Sequence, residues 1–433
     1  MISTQQRTPL SRRLVFVVAM VALVLIATEV FAWAALSVRA GGIFSWTSFQ
    51  QLRDGILRPD RGAVPSAGFV VHPYMGYVIR PGAIVQDEPL GKTRRVPVSK
   101  WGFPYTLESP VQKRGAGRAL IGIVGGSVAA NFFDIGREPF ARALREAGVL
   151  ADRDLVFINL AMGGYKQPQQ LLIVAYLLTL GAEFDLVINI DGFNEVALHE
   201  AENAPKGVFP AFPRGWYGFA GALRNPASRI LIAKAAYAGE QRRELAARFS
   251  GVPWRYSPTA NLVWEFLDGN RARAQLRIQE EFRMQPEQTN EYAATGPPGQ
   301  FASDRELYGF LVDVWKRSSI QLDRICQANG IHYYHALQPN QYVKGSKPLS
   351  DSERKLAYLQ DHPYRPGVEK GYGPLRSAGQ DLLESGVRFL DLTQLFAGRR
   401  ETLYVDSCCH FNATGHEIMA RHLASAIAED LGS

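Results

Sequence analysis

From residue 119 onward, short apolar runs alternate with segments of helical pattern, and this alternation restricts the possible fold more than any other feature. Five runs have the length and composition of strands, at residues 120–124, 155–160, 186–190, 331–335 and 387–391. Helical patterns lie between them and after the last of them. Such alternation predicts a parallel sheet covered by helices on both faces. We therefore expect an α/β fold, a three-layer α/β/α sandwich.

A long apolar segment at residues 14–38 predicts a transmembrane helix. Its 25 positions are interrupted mainly by Glu29, and they suffice to cross a bilayer. Arg7, Arg12 and Arg13 precede the segment and only Arg39 follows it closely, so residues 1–13 are predicted to be cytoplasmic and the rest periplasmic or extracellular. A cleaved signal peptide is the alternative. An uncleaved anchor is favoured because signal-peptide cores usually have roughly 7–15 apolar residues.

The charge and the cysteines exclude several classes of site. Residues 1–40 account for +3 of the net charge of +7, and the remainder contains no Lys/Arg block, so we expect no nucleic-acid partner. The only cysteines are Cys326, Cys408 and Cys409, which imply no disulfide framework, although one bridge from Cys326 remains open. Their spacing does not resemble a zinc site. We expect no metal and no cofactor.

The chain after the predicted anchor divides into a short segment and a large domain. Residues 40–114 are rich in Gly, Pro and Arg and contain short alternating pieces, which predicts strands and turns packed on the catalytic domain. Residues 115–433 hold the alternating pattern, interrupted at about 200–298 by a helical insertion. Aromatic residues at 208–219 can line a cleft, contact the membrane surface or, as we favour, form a small core of the insertion.

Chemically useful residues follow the predicted strands. Ser127 comes after the first strand, Gly164 after the second and Asn194 after the third, and Asp406 and His410 precede the final helix. The carboxyl ends of parallel strands meet at one edge of a sheet, where open α/β folds bind their ligands. Each residue alone has an ordinary structural explanation as a turn former or a cap. Their joint occurrence in this order favours a common site.

These residue types match the requirements of nucleophilic ester hydrolysis. Ser127 would attack, His410 would remove its proton, and Asp406 would orient the histidine. The amide groups of Ser127 and Gly164 and the side chain of Asn194 would bind the oxyanion. A Gly-x-Ser-x-Gly nucleophile elbow is excluded because Ala129 occupies the last position, and neither a dinucleotide nor a P-loop glycine pattern is present.

With these motifs, the sequence resembles the SGNH (GDSL-type) hydrolase superfamily over residues 119–431, the insertion excepted. The first block reads Gly125-Gly126-Ser127 where the family has Gly-Asp-Ser, and Gly192-Phe193-Asn194 matches the third-block Gly-x-Asn. The last block departs from the family's Asp-x-x-His, because three residues separate Asp406 from His410.

Together with the predicted membrane topology, this resemblance implies an extracytoplasmic serine esterase that removes acyl groups, such as acetyl, from cell-surface or exported carbohydrate. One alternative is an O-acetyltransferase that passes the acyl group to a sugar hydroxyl at the same triad. Another is a non-catalytic member of the fold that binds a glycan or a protein partner. An acylated carbohydrate or another small ester and the membrane are thus the expected partners.

Overall fold

The computed structural model describes residues 10–57, 68–87, 94–104, 107–224, 226–284, 292–299 and 301–431. The chain groups into two compact units, Met1–Pro65 with Asn225–Pro286, and Ser66–Arg224 with Glu287–Ser433. The described strands are β1 Phe69–His72, β2 Gly76–Ile79, β3 Ile84–Asp87, β4 Arg94–Pro97, β5 Arg118–Gly125, β6 Asp154–Asn159, β7 Leu186–Asp191, β8 His332–Leu337 and β9 Arg388–Asp391. The described α-helices are α1 Leu10–Ala40, α2 Trp46–Leu57, α3 Ser127–Asn131, α4 Arg137–Glu146, α5 Gln169–Thr179, α6 Phe193–Leu198, α7 Trp216–Arg224, α8 Pro226–Ser250, α9 Pro258–Met284, α10 Tyr292–Thr295, α11 Asp304–Ala328, α12 Asp351–Leu356, α13 Arg365–Glu384 and α14 Ala413–Leu431.

The second unit is built on a five-stranded parallel sheet with the order β6-β5-β7-β8-β9. All six residues of β7 are buried, as a continuous apolar strand covered on both faces requires. Helix α4 packs with α14, and α11 packs with α5 and α13, which gives the sheet two helical layers. The predicted α/β fold with a parallel sheet is therefore confirmed.

Two antiparallel hairpins, β1–β2 and β3–β4, precede the sheet within the same unit. The amide of Gln169, at the start of α5, donates to the carbonyl oxygen of Met75 over 2.7 Å. The hydroxyl of Tyr165 donates to the carbonyl oxygen of Tyr77, and the hydroxyl of Tyr77 donates to that of Gly163 over 3.0 Å. These bonds tie the β1–β2 hairpin to the loop that follows β6. The domain limits read from the sequence stay a prediction.

The described residues of the first unit form helices and connecting turns, with no strand among them. Helices α8 and α9 form a long hairpin, held by a two-bond ion pair between Arg242 and Asp268 with both distances at 2.8 Å. Arg53 of α2 donates to the side-chain oxygen of Asn261 over 2.6 Å. Within the described residues, one helical segment, Arg12–Arg39 of α1, is long and apolar enough to cross a membrane.

Candidate active site

The turn after β5 presents Ser127 at the carboxyl edge of the sheet. Gly125 has φ +138°, and a Cβ there would lie 2.1 Å from the carbonyl oxygen of Ile190 on β7, so only glycine fits. A Cβ on Gly126 would lie 2.2 Å from the side-chain nitrogen of Asn194. Ser127 is the first residue of α3 and is partly exposed. The two glycines therefore allow a sharp turn and a close approach of Asn194.

His410 joins Ser127 and Asp406. Its Nε2 lies 2.7 Å from Ser127 Oγ, and its Nδ1 lies 2.5 Å from Asp406 Oδ2. The other carboxylate oxygen, Oδ1, accepts the backbone N–H groups of Cys408, Cys409 and His410 over 2.9, 3.1 and 3.2 Å. The extra residue between Asp406 and His410 is thus taken up in a turn around the carboxylate, and the acid still reaches the imidazole.

Asp406 and His410 each favour the charged form of the other. Burial by itself would lower the pKa of His410, but the hydrogen bond and negative charge of Asp406 raise that pKa above its ordinary value. Burial would likewise raise the pKa of Asp406, and its bonds to His410 lower it instead. The favoured pair is therefore an ionised carboxylate beside an imidazole of increased basicity.

Three consecutive residues after β8 hold the acid-bearing loop. Asn340 donates to the carbonyl oxygen of Cys408 over 3.2 Å, Gln341 to that of Asp406 over 3.1 Å, and the Tyr342 hydroxyl to that of Ser407 over 2.8 Å. Sequence reasoning missed these residues. Their position directly after a strand of the sheet is the signal that would have identified them, since that edge carries the site.

Gly164 and Asn194, the predicted oxyanion residues, lie in adjoining loops. Gly164 is buried with φ +82°, and a Cβ there would lie 2.4 Å from Cδ of Arg214, a fourth residue that sequence reasoning missed. The side chain of Asn194 donates to the carbonyl oxygen of Tyr165 over 2.7 Å, and it also covers Gly126, next to Ser127. The loops after β6 and β7 are therefore hydrogen-bonded to each other beside the turn that carries Ser127.

A buried carboxylate fixes these two loops. Glu195 accepts the backbone N–H of Gln167 at one oxygen and that of Gly192 at the other, both over 2.9 Å. Burial raises the pKa of Glu195 to about 8, with the charge of Asp191 acting in the same direction. Glu195 thus connects the segment after Gly164 to the turn before Asn194.

A second Ser-His-Asp arrangement lies inside the unit. His335 is 2.7 Å from Asp191 through Nε2 and 2.7 Å from Ser319 through Nδ1. The His335 and Asp191 side chains are 0% and 1% exposed, so no substrate can reach them. Asp191 also accepts from Trp315 over 2.7 Å. This set is a satisfied core network, and exposure separates it from the set around Ser127.

One cluster among the described residues can hold a metal ion. Ligand atoms of Cys408, Cys409 and His410 all lie within 4.8 Å of one another. A metal on Nε2 of His410 would compete with Ser127, because Nδ1 already faces Asp406. Burial raises the pKa of the Cys409 thiol, whereas contact with Cys409 lowers that of Cys408. Cys326 is buried, and all three cysteines are unbridged.

Two solved structures show a limited likeness to this chain. A GDSL-like lipase from Bacteroides thetaiotaomicron is 10% identical with a TM-score of 0.33, and the match covers 72% of this chain and 89% of the other. A catalytic mutant of an acetylxylan esterase from Geobacillus stearothermophilus is 12% identical with a TM-score of 0.32, covering 73% and 96%. The sequence matches no protein-family model and no curated protein. At TM-scores this low, the likeness carries no argument about activity.

Proposed function

We propose that the protein is a serine esterase of the SGNH type, with Ser127, His410 and Asp406 as its catalytic triad. The observation that carries the proposal is the continuous chain of bonds from Asp406 Oδ2 through the imidazole to Ser127 Oγ. The three side chains are partly exposed at the ligand-binding edge of the sheet. A nucleophile, its base and the orienter of that base are thus within reach of a substrate.

In the proposed mechanism, His410 Nε2 accepts the proton of Ser127 as Oγ attacks the acyl carbonyl. Asp406 holds Nδ1–H and stabilises the imidazolium that forms. The oxyanion is bound by the amide N–H groups of Ser127 and Gly164 and by the side chain of Asn194. The imidazolium then gives its proton to the leaving alcohol. Water, activated by His410, hydrolyses the acyl-enzyme and regenerates the serine.

We infer further that α1 anchors the chain in a membrane, with residues 1–13 cytoplasmic and the triad outside. The length and apolar character of Arg12–Arg39 and the arginines on its N-terminal side support this topology. An exported, partly exposed site would meet acyl, and first of all acetyl, esters of cell-surface or exported carbohydrate. A phosphatase reporter fused after residue 45 should be active, and an inactive fusion would reverse the topology.

The decisive test compares the purified full chain with its Ser127→Ala variant on an aryl acetate. Removal of the nucleophile should lower kcat by about 10³-fold or more. Ser319→Ala is the matched control, because it removes the serine of the buried arrangement and should leave kcat within a few-fold. Equal rates for Ser127→Ala and the parent protein would refute the triad and favour a non-catalytic binding protein. An added oligosaccharide acceptor that becomes acylated would identify a transferase.

A further inference from the structure

One stripe of α1 packs inside the first unit. Ala32 and Leu36 are each 2% exposed, and Glu29 and Arg39 lie on the same helical face at compatible spacing. Residues 12–28, which precede Glu29, have no such cover, as Ile26 with 62% exposure illustrates. Contact between α1 and the rest of its unit therefore begins at Glu29 and continues toward the C-terminal end of the helix.

Glu29 is bonded to the start of α9. Its carboxylate accepts the hydroxyl of Ser257 over 2.6 Å and the backbone N–H of Thr259 over 3.0 Å. The N–H groups of a first helical turn have no partner within their own helix, and a negative charge there is favourable. The one acidic interruption of the apolar segment thus serves as a cap for the second helix of the hairpin.

A second contact fixes the direction of α9 relative to α1. Arg39 pairs with Glu265 over 3.7 Å. Glu29 and Arg39 are about 15 Å apart along α1, and Thr259 and Glu265 are about 9 Å apart along α9, at a rise of 1.5 Å per residue. The two helices therefore run side by side in the same direction. The tip of the α8–α9 hairpin lies level with Glu29.

Glu29 and the hairpin tip lie inside the bilayer if α1 spans the membrane. This premise rests on the topology proposed above. Glu29 is nine residues before Val38, the last residue of the apolar segment, or about 14 Å along the helix. A hydrocarbon core is about 30 Å thick. The 25-residue segment is about 37 Å long and can extend about 7 Å beyond this core, so the hairpin tip is expected about 6–14 Å below the surface of the leaflet next to Arg39.

The tip has the surface that such a position requires. Val252 is 70% exposed, Trp254 is 53% exposed and Tyr256 is 54% exposed, so large apolar and aromatic side chains point away from the protein. Trp and Tyr are favoured where a membrane protein meets the lipid interface. Arg255 lies over the Tyr256 ring at 4.4 Å and donates a hydrogen bond to the Tyr256 hydroxyl.

A cavity of about 400 Å³ lies at the same level. Its apolar lining residues are Phe249, Trp254, Ala260 and Val263, and its polar ones are Glu29, Arg248, Ser257 and Thr259. Glu29 has partners for both carboxylate oxygens in Ser257 and Thr259. An acyl chain is the occupant that matches an apolar cavity beside a membrane helix.

We propose that the hairpin tip, residues 249–260, is a lipid-binding element that enters the bilayer beside α1, with phospholipid acyl chains against Val252 and Trp254 and in the adjoining cavity. Glu29 satisfies the Ser257 hydroxyl and the Thr259 N–H of the tip at this depth. The helical insertion thereby becomes a second membrane attachment of the chain, separate from the candidate active site.

The test uses the full chain in phosphatidylcholine vesicles with plain or dibrominated acyl chains. Tryptophan fluorescence is compared for the parent protein and for Trp254→Phe, Trp33→Phe and Trp101→Phe. The fluorescence of Trp254 is the difference between the parent protein and Trp254→Phe, and brominated chains should quench it. The extent of quenching should be comparable with that of Trp33 in α1. The Trp101 signal, from the second unit, should be unaffected. Val252→Trp in the Trp254→Phe background should restore the quenching.

The outcomes separate the two proposals. Quenching of Trp33 without quenching of Trp254 would overturn the hairpin proposal and leave the α1 anchor intact. If neither is quenched, α1 is not in the bilayer and both are overturned, whereas the aryl acetate assay still tests the esterase independently. Protection of Trp254 in a protein that forms dimers in the vesicles would assign the tip to self-association and also refute a lipid role.

Discussion

The acid of the proposed triad gives the sharpest prediction, because the structure determines how an Asp406→Asn side chain must be oriented. Oδ1 of Asp406 accepts three backbone N–H groups, and Oδ2 faces Nδ1 of His410. An asparagine keeps the three bonds only by placing its carbonyl oxygen at Oδ1. Its NH₂ group then faces Nδ1. The opposite orientation would forfeit three hydrogen bonds, each worth about 1 kcal/mol.

This orientation disables the base. Two N–H donors cannot face each other, so the imidazole takes the tautomer with its proton on Nε2, which points at Ser127. Nε2 then cannot accept the serine proton. In a Ser-His-Asp site this tautomer error lowers kcat by about 10⁴-fold. At 1.36 kcal/mol per factor of ten, the barrier rises by about 5 kcal/mol.

The pH dependence distinguishes this effect from general damage. His410 must be neutral to act as a base, so kcat/KM rises with pH through its pKa. Asp406 raises the pKa of His410 while burial lowers it. Loss of the carboxylate should therefore move the midpoint of the residual activity to lower pH. Stopped-assay rates on an aryl acetate between pH 5 and 9 would show the shift.

Stability serves as the control for this variant. The three bonds to Oδ1 survive in Asp406→Asn, so its unfolding free energy in urea should lie within about 1 kcal/mol of the parent value. A variant that keeps more than a tenth of the parent kcat, with an unchanged pH midpoint, would refute the assignment of Asp406 as the acid. A large loss of stability would contradict the orientation argument.

Three further predictions concern the neighbouring loops. Gly126→Ala places a methyl group where the Asn194 amide lies, so kcat should fall by about 10²-fold or more. In an Asn194→Ala background the same substitution should have little further effect on kcat, which a double-mutant cycle would show. Glu195→Ala leaves the buried backbone N–H groups of Gln167 and Gly192 without their acceptors and should lower the unfolding free energy by about 1–3 kcal/mol, measured in urea. Zn²⁺ should inhibit the esterase at His410, and Cys408→Ser should raise the half-inhibitory concentration.

The sheet and the position of the proposed triad could be predicted because both depend on local pattern. Buried parallel strands appear as continuous apolar runs, and the residues that follow them meet at one edge. Ser127, Gly164 and Asn194 were predicted in this way, and Asp406 and His410 were predicted from their position before the final helix. The structure places Ser127 in hydrogen-bond contact with His410, and Asn194 against the glycine before Ser127.

Other features depend on contacts between segments far apart in the chain. Nothing in the local sequence indicates that Arg214 lies against Gly164, or that Glu29 caps a helix more than 200 residues later. The spacing of Asp406 and His410 was similarly ambiguous, since only the turn of N–H groups around Oδ1 shows how an extra residue is accommodated. The spacing of the cysteines also does not indicate that the ligand atoms of Cys408, Cys409 and His410 lie within 4.8 Å of one another.

The buried network around Asp191 also holds the segment that follows Gly164 in place. Asp191 ends β7 and binds His335 and Trp315 at one oxygen, while its other oxygen accepts the side-chain amide of Gln167 over 3.3 Å. The backbone N–H of that same Gln167 donates to Glu195. Two buried carboxylates therefore fix the segment after Gly164 from both sides. Because the proposed oxyanion donors must be aligned before charge develops, Asp191 and Glu195 would support the accessible site by holding this segment in position.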